Sequence, residues 1–136
     1  LKDTNDEGEY MWIFTDTGFV SAVRKPWAKD KMTVRARDKQ SLVELSEVSG
    51  EAITTSKDSD YPHRVVVDDL VFKSWLLATI DVMDYDNFKN RVYETRGKKF
   101  ASLLSKVWSV MLGAEDLDRK PEEDWELDYN EWKAHQ

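Results

Sequence analysis

The stretch from Asp60 to Val92, DYPHRVVVDDLVFKSWLLATIDVMDYDNFKNRV, leaves the chain few ways to fold. Three β-branched valines, Val65, Val66 and Val67, follow a Tyr61-Pro62 turn and run into Asp68-Asp69. A short strand feeding a helix is expected there, because carboxylates at a helix N-terminus accept free backbone N–H groups and face the positive dipole end. Behind them Phe72, Trp75, Leu76, Ile80 and Met83 recur at helical spacing and define one apolar face. A second helix is expected to start at Asp86 as its cap and to bury Phe88 and Val92.

The rest of the chain extends this unit. MWIFTDTGFVSAVRK alternates apolar residues about Asp16-Thr17-Gly18, a hairpin signal with its turn near the glycine. After a turn at Pro26-Trp27, KMTVRARD sends Met32, Val34 and Ala36 to one face and Thr33, Arg35 and Arg37 to the other. One face then packs while the other is wet and positive. Residues 39–48 read as a short helix with Leu42, Leu45 and, at its end, Val48 inward and Gly50 as its stop, and EAITTS as a further strand. Phe100, Leu103, Leu104, Val107, Trp108 and Met111 fit a longer amphipathic helix that Gly113 should end. The order is βββαββααα, with elements in runs rather than in strict alternation. That order predicts an α+β fold, an antiparallel sheet of about four to five strands with helices packed on one face. The expected core is Trp12 or Ile13 with Val34, Val66, Phe72, Trp75, Leu76, Ile80, Phe88, Leu104 and Trp108.

Charge is distributed unevenly along the 136 residues. The formal net charge is −7. Residues 1–10 hold one basic and four acidic groups, and residues 115–136 hold three basic and nine acidic. Residues 11–114 therefore carry 16 basic against 14 acidic groups and are slightly positive. The division predicts an N-terminal extension over 1–10, a single domain over 11–114 and an acidic, aromatic C-terminal segment over 115–136. There is no cysteine. Disulfides, thiolate metal sites and cysteine nucleophiles are excluded, and a reducing cytoplasm is the expected location. No apolar run reaches the length of a membrane span, so no membrane partner is expected.

The segments MWIFTDTGF, VRARD, DYPHRVVV and DYDNFK, in this order and spacing, resemble a family of small actinobacterial and actinophage proteins that carries no established activity. The similarity covers about residues 11–112. It implies a phage or prophage setting, a domain start at Met11 and two added flanks. It assigns no role to Arg35, Arg37, Tyr61, Pro62 and Arg64, the positions that carry it.

Chemistry-bearing motifs are sparse. The two histidines, His63 and His135, are far apart, and Asp81, Asp84 and Asp86 read as solvated helix ends, so no metal or cofactor is expected. The five glycines form no phosphate-cradling pattern. Ser56, Ser59 and His63 share one loop, which loop composition alone accounts for. Two surfaces remain. Arg24, Lys25, Lys29, Lys31, Arg35, Arg37 and Lys39 fall within sixteen residues that also hold Trp27, with Arg64 on a neighbouring strand. Cations for phosphates and an aromatic for bases are what nucleic-acid binding needs, so Trp27, Arg35, Arg37 and Arg64 are candidate nucleic-acid or ligand contacts. The plainer reading, a solvated face whose arginines pair with Asp16 and Asp38, is preferred. The other surface is PEEDWELDYNEWKAHQ. Trp125, Tyr129 and Trp132, spaced i, i+4, i+7, would form the aromatic face of an acidic docking helix over 121–133, packed on this chain's own sheet or on a neighbouring copy. The expected function is that of a small binding or regulatory protein acting through protein partners or self-association. Nucleic-acid binding is the alternative, and an enzyme without a recognisable motif the third reading.

Overall fold

A computed structural model describes residues 9–57, 59–118 and 121–136, with Glu9 and residues 121–127 as backbone alone. The order is β1 (Glu9–Thr15), β2 (Gly18–Arg24), β3 (Lys31–Ala36), α1 (Gln40–Ser49), β4 (Thr54–Thr55), β5 (His63–Asp68), α2 (Asp69–Asp81), α3 (Phe88–Arg96), α4 (Lys98–Met111), a 3-10 segment (Leu112–Asp118) and α5 (Pro121–Ala134). The strands form one antiparallel sheet in the order β1-β2-β3-β5-β4. The fold is α+β, as the order of the elements predicts. β1 begins two residues before Met11, with Tyr10 already paired to Val23. The first hairpin closes on the two-residue loop Asp16-Thr17, with Thr15 opposite Gly18.

Strand register decides which residues share a face. Ala22, Val34 and Val65 are cross-strand neighbours, as are Met32 and Val67, and Ile13 and Val20. These side chains form the inner face. Leu42 and Leu45 of α1 and Phe72 and Trp75 of α2 cover it. Trp75 ties the two helices together by donating its indole N–H to Glu44 Oε1 at 2.7 Å. Gly50 ends α1 at φ 75°, its N–H bonded to Ser46 O at 2.9 Å, which is the left-handed stop its position predicts.

Several expected core residues lie outside. Val66 is 48% exposed while Val65 and Val67 are buried, because the strand alternates and the inward parity falls on its neighbours. Ile13 packs against the core while Trp12 is exposed, for the same reason. Ile80, Trp108 and, at the end of α1, Val48 are exposed, and Phe88 is half-buried. Leu76 packs at the edge of the core and Leu104 is buried. On β3, Thr33 and Arg35 are buried as well as Met32, Val34 and Ala36, so its second face is not the wet one that alternation suggests.

Helix starts differ from expectation in detail. Asp68 and Asp69 do stand at the N-terminus of α2, but Asp68 makes no side-chain cap. Its carboxylate pairs with Lys31, and that of Asp69 pairs with Arg24 and with Lys73 at 2.7 Å. These bonds fasten the helix to β2 and β3. α3 is capped by Asn87, whose side chain accepts from Asn90 N at 3.0 Å, rather than by Asp86. Gly113 does not end α4. The chain runs on through Leu112 in right-handed helical geometry (φ −57°, ψ −29°) into the 3-10 segment.

Leu45 is fully buried between α1 and the sheet, so Leu45→Ala should lower stability by about 2–5 kcal/mol. Ile80→Ala, on the exposed side of α2, should change it by no more than about 0.5 kcal/mol. Urea unfolding of the two variants checks the assignment of faces. Hydrogen bonds from Lys73 and then Arg24 hold the Asp69 carboxyl below the usual carboxylate range. A group depressed by folding contributes stability above its unfolded value near 3.9, and that stability is lost as pH falls. Asp69→Asn should therefore be less stable than wild type at neutral pH, with the gap closing as pH drops below about 5. Thermal melts across pH measure it, and a gap that stays constant would refute this role of Asp69.

Candidate interaction surfaces

α1 and α2 cover the inner face of the sheet, and the outer face holds most of the expected contact residues. Trp12, Ser21, Arg35, Arg64 and Thr54 stand in one cross-strand row. Arg35 Nη2 donates to Ser21 Oγ at 2.9 Å. The Arg35 and Arg37 guanidinium groups lie 4.6 and 4.7 Å from the centre of the Tyr61 ring. Arg37 Nη1 donates to Asp60 O at 2.9 Å, and Arg64 Nη2 to Ser59 Oγ at 3.1 Å. The fold thus places Arg35 and Arg37 on Tyr61, with Arg64 opposite Arg35 and bonded to Ser59, and uses the three to hold the loop before β5. Arg35 is only 6% exposed. Planar guanidinium groups stacked on a phenol ring fill space as an aromatic would while keeping their donors directional.

Trp27 does not join them. It lies exposed in the β2–β3 turn with Lys25 Nζ 5.6 Å above its ring, and the length of β3, roughly 20 Å, separates it from Arg37. The run of cations is likewise divided. Arg24 binds Asp69 and Lys31 binds Asp68. Asp16 and Asp38, the expected partners of the strand arginines, bind Arg91 and Arg96 of α3 instead. Arg91 Nε reaches Asp16 Oδ2 at 2.9 Å, a bond that raises the already high arginine pKa.

An aromatic strip on the same outer face gave a weaker sequence signal. Tyr10, Trp12 and Phe14 are exposed on the edge strand β1. Phe19 meets Trp12 edge-on at 6.0 Å and stacks on Phe14 at 4.6 Å. The clue was their period of two, opposite in phase to Met11 and Ile13.

A further uncovered apolar surface belongs to α4. Leu104 is buried, but Leu103, Val107, Trp108, Val110 and Met111 are exposed, Trp108 at 57%. Lys89 of α3 lies 4.9 Å above the Trp108 ring. α5 forms as expected from Pro121, yet Tyr129 and Trp132 are 46% and 58% exposed rather than packed on this chain's sheet. Their rings contact each other at 6.0 Å. The Trp125 side chain lies outside the described residues. An open groove of about 550 Å³ runs between α1 and α2, lined by Val48, Leu70, Trp75, Ala78 and Val82 with Glu44. Its one carboxylate is engaged by the Trp75 indole.

Among the described residues no three His, Asp or Glu side chains gather as a metal site requires, and no helix is long and apolar enough to cross a membrane. Ser59 is bonded to Arg64 and Tyr61 O, and His63 Nδ1 to Thr55 Oγ1 at 2.9 Å, so Ser59 and His63 are each turned to other partners. No known protein family, curated protein or solved structure matches the chain.

Arg35→Ala would leave the Ser21 hydroxyl and the Tyr61 ring uncovered and should cost about 1–3 kcal/mol. Arg37→Ala, at an exposed position, should cost no more than about 1 kcal/mol. Equal losses in urea unfolding would show that both arginines are structural and remove Arg37 as a contact residue.

Proposed function

We propose that the protein is a small binding or regulatory domain that acts through protein–protein contacts made by the exposed apolar face of α4. The observation that supports this is the row Leu103, Val107, Trp108, Val110 and Met111, left in water on one folded helix. Contiguous apolar surface of this kind is a mark of interaction sites, and an indole beside a lysine is a common anchor of such contacts. The absence of cysteine fits a cytoplasmic setting.

The second reading is nucleic-acid binding on the outer face of the sheet. Arg37, exposed beside Tyr61, and the exposed rings of Tyr10, Trp12 and Phe14 favour it, since single strands are held by stacking and phosphate contacts together. The burial of Arg35 and the distance to Trp27 weigh against it.

Affinity capture from lysate of the source cells separates the two. With wild type and a Trp108→Glu variant, with and without nuclease, the first reading expects a captured protein that the variant loses and that nuclease leaves in place. Circular dichroism checks that the variant, altered only at an exposed position, remains folded. Retention of every captured protein by Trp108→Glu would overturn the proposal. Capture that nuclease and Arg37→Ala both abolish, and that falls steeply with salt, would establish the second reading.

A further inference from the structure

Resting on that reading of α4, we infer that a partner of this face is a second copy of the chain, whose acidic α5 lies antiparallel along it. The charges of the two helices are complementary. α4 carries Lys98, Lys99 and Lys106 and no acid, while α5 carries six acids and one lysine. Their placement is complementary too. Lys99 and Lys106 immediately precede Phe100 and Val107, and Asp128 and Glu131 immediately precede Tyr129 and Trp132. Each charged edge therefore lies on the same rotational side of its apolar row. Two helices with that arrangement bring their charged edges together when they run antiparallel, as matching flanks do in antiparallel coiled coils. Both helices have 14 residues, so one covers the other from end to end.

The chain's own α5 is poorly placed for this role. Because Gly113 makes no reversal, the 3-10 segment Leu112–Asp118 carries the chain on the order of 14 Å beyond the end of α4 before residues 119–120 lead into α5. Doubling straight back from there, Glu131 would draw level with Lys106 at best and stop about 10 Å short of Lys99. In a two-fold pair centred on the 3-10 segments, each α4 meets the other copy's α5, and both contacts are made at once. Apolar burial of Trp108, Val107, Tyr129 and Trp132 gives the contact its lifetime, and the lysine and carboxylate edges set its direction.

Sedimentation of the full chain over the micromolar range tests this. Wild type should dimerise. The double variants Lys99→Glu/Lys106→Glu and Asp128→Lys/Glu131→Lys should each associate at least roughly tenfold more weakly. An equimolar mixture of the two should recover dimers, since each altered α4 then faces an altered α5 of opposite charge. A wild type that stays monomeric, a mixture that recovers nothing, or a dimer that survives Tyr129→Glu/Trp132→Glu would each overturn the inference. If wild type is monomeric while Trp108→Glu still loses a captured protein, self-pairing fails and the binding function of α4 stands. If Trp108→Glu loses nothing and no dimer forms, both fail.

Discussion

The hydroxyl of Ser41 is the point on which the rest of the arrangement depends. Ser41 is buried, and three distant parts of the chain meet at its oxygen. It accepts from Phe19 N at 3.2 Å in the β1–β2 hairpin and donates to Asp38 Oδ1 at 2.6 Å before α1. Arg96 Nη1 at the end of α3 also donates to it, at 3.3 Å, and donates to Thr17 O at 2.8 Å while Nη2 binds Asp38. Gly18 makes the approach feasible. A Cβ there would sit 2.2 Å from Ser41 Oγ and 2.9 Å from its Cα, a conflict with backbone that no rotamer relieves. The glycine is required by closeness, not by its φ. α3 and α4 pack mainly on each other, so this node, with Arg91 on Asp16, fixes where the helical hairpin stands against the sheet.

The one-sided covering of the sheet follows from that placement. Two helices fill the inner face, and α3, with α4 packed on it, is held at the hairpin end instead. The outer face then has to close over β2 and β3 with its own side chains. Arg35 lies over Ser21 and against Tyr61, and these contacts bury polar atoms that alternation would leave wet. Basic residues crowded in the sequence thereby become separate structural ties, to Asp68, Asp69, Ser21 and the loop carbonyl of Asp60.

What was legible in the sequence was whatever local periodicity determines. The strands, the helices, the Gly50 stop and the α+β class all follow from short-range pattern. Val65, Val66 and Val67 show where it stops, since three equal valines carry no phase. The register of β5 on β3 supplies it, placing Val65 opposite Val34 and Val67 opposite Met32. Asp16 and Asp38 show a second boundary, because their partners Arg91 and Arg96 are 75 and 58 residues away along the chain. Trp108 and Ile80 show a third. Helical spacing of apolar residues states that a face seeks cover, but not that the cover belongs to the same chain.

That distinction bears on how α4 exists at all. A helix of 14 residues standing free in water is marginal, and most helices of this size are held by burial of their apolar side. Here only Leu104 is buried, with Phe100 partly covered beneath the Arg96 guanidinium at 4.1 Å. The helix is sustained instead by good helix formers such as lysine, alanine, leucine and methionine, and by packing on α3. Gly97, at φ 87°, turns the chain sharply between them, and Arg96 anchors that turn to the sheet. The apolar row is therefore presented already helical and already oriented. A partner that covers it need not supply the entropy of folding it, which is the chief cost when a disordered segment binds. Rigid attachment at one edge, with the apolar face turned outward, gives a surface whose contacts can convert into affinity with little lost to ordering.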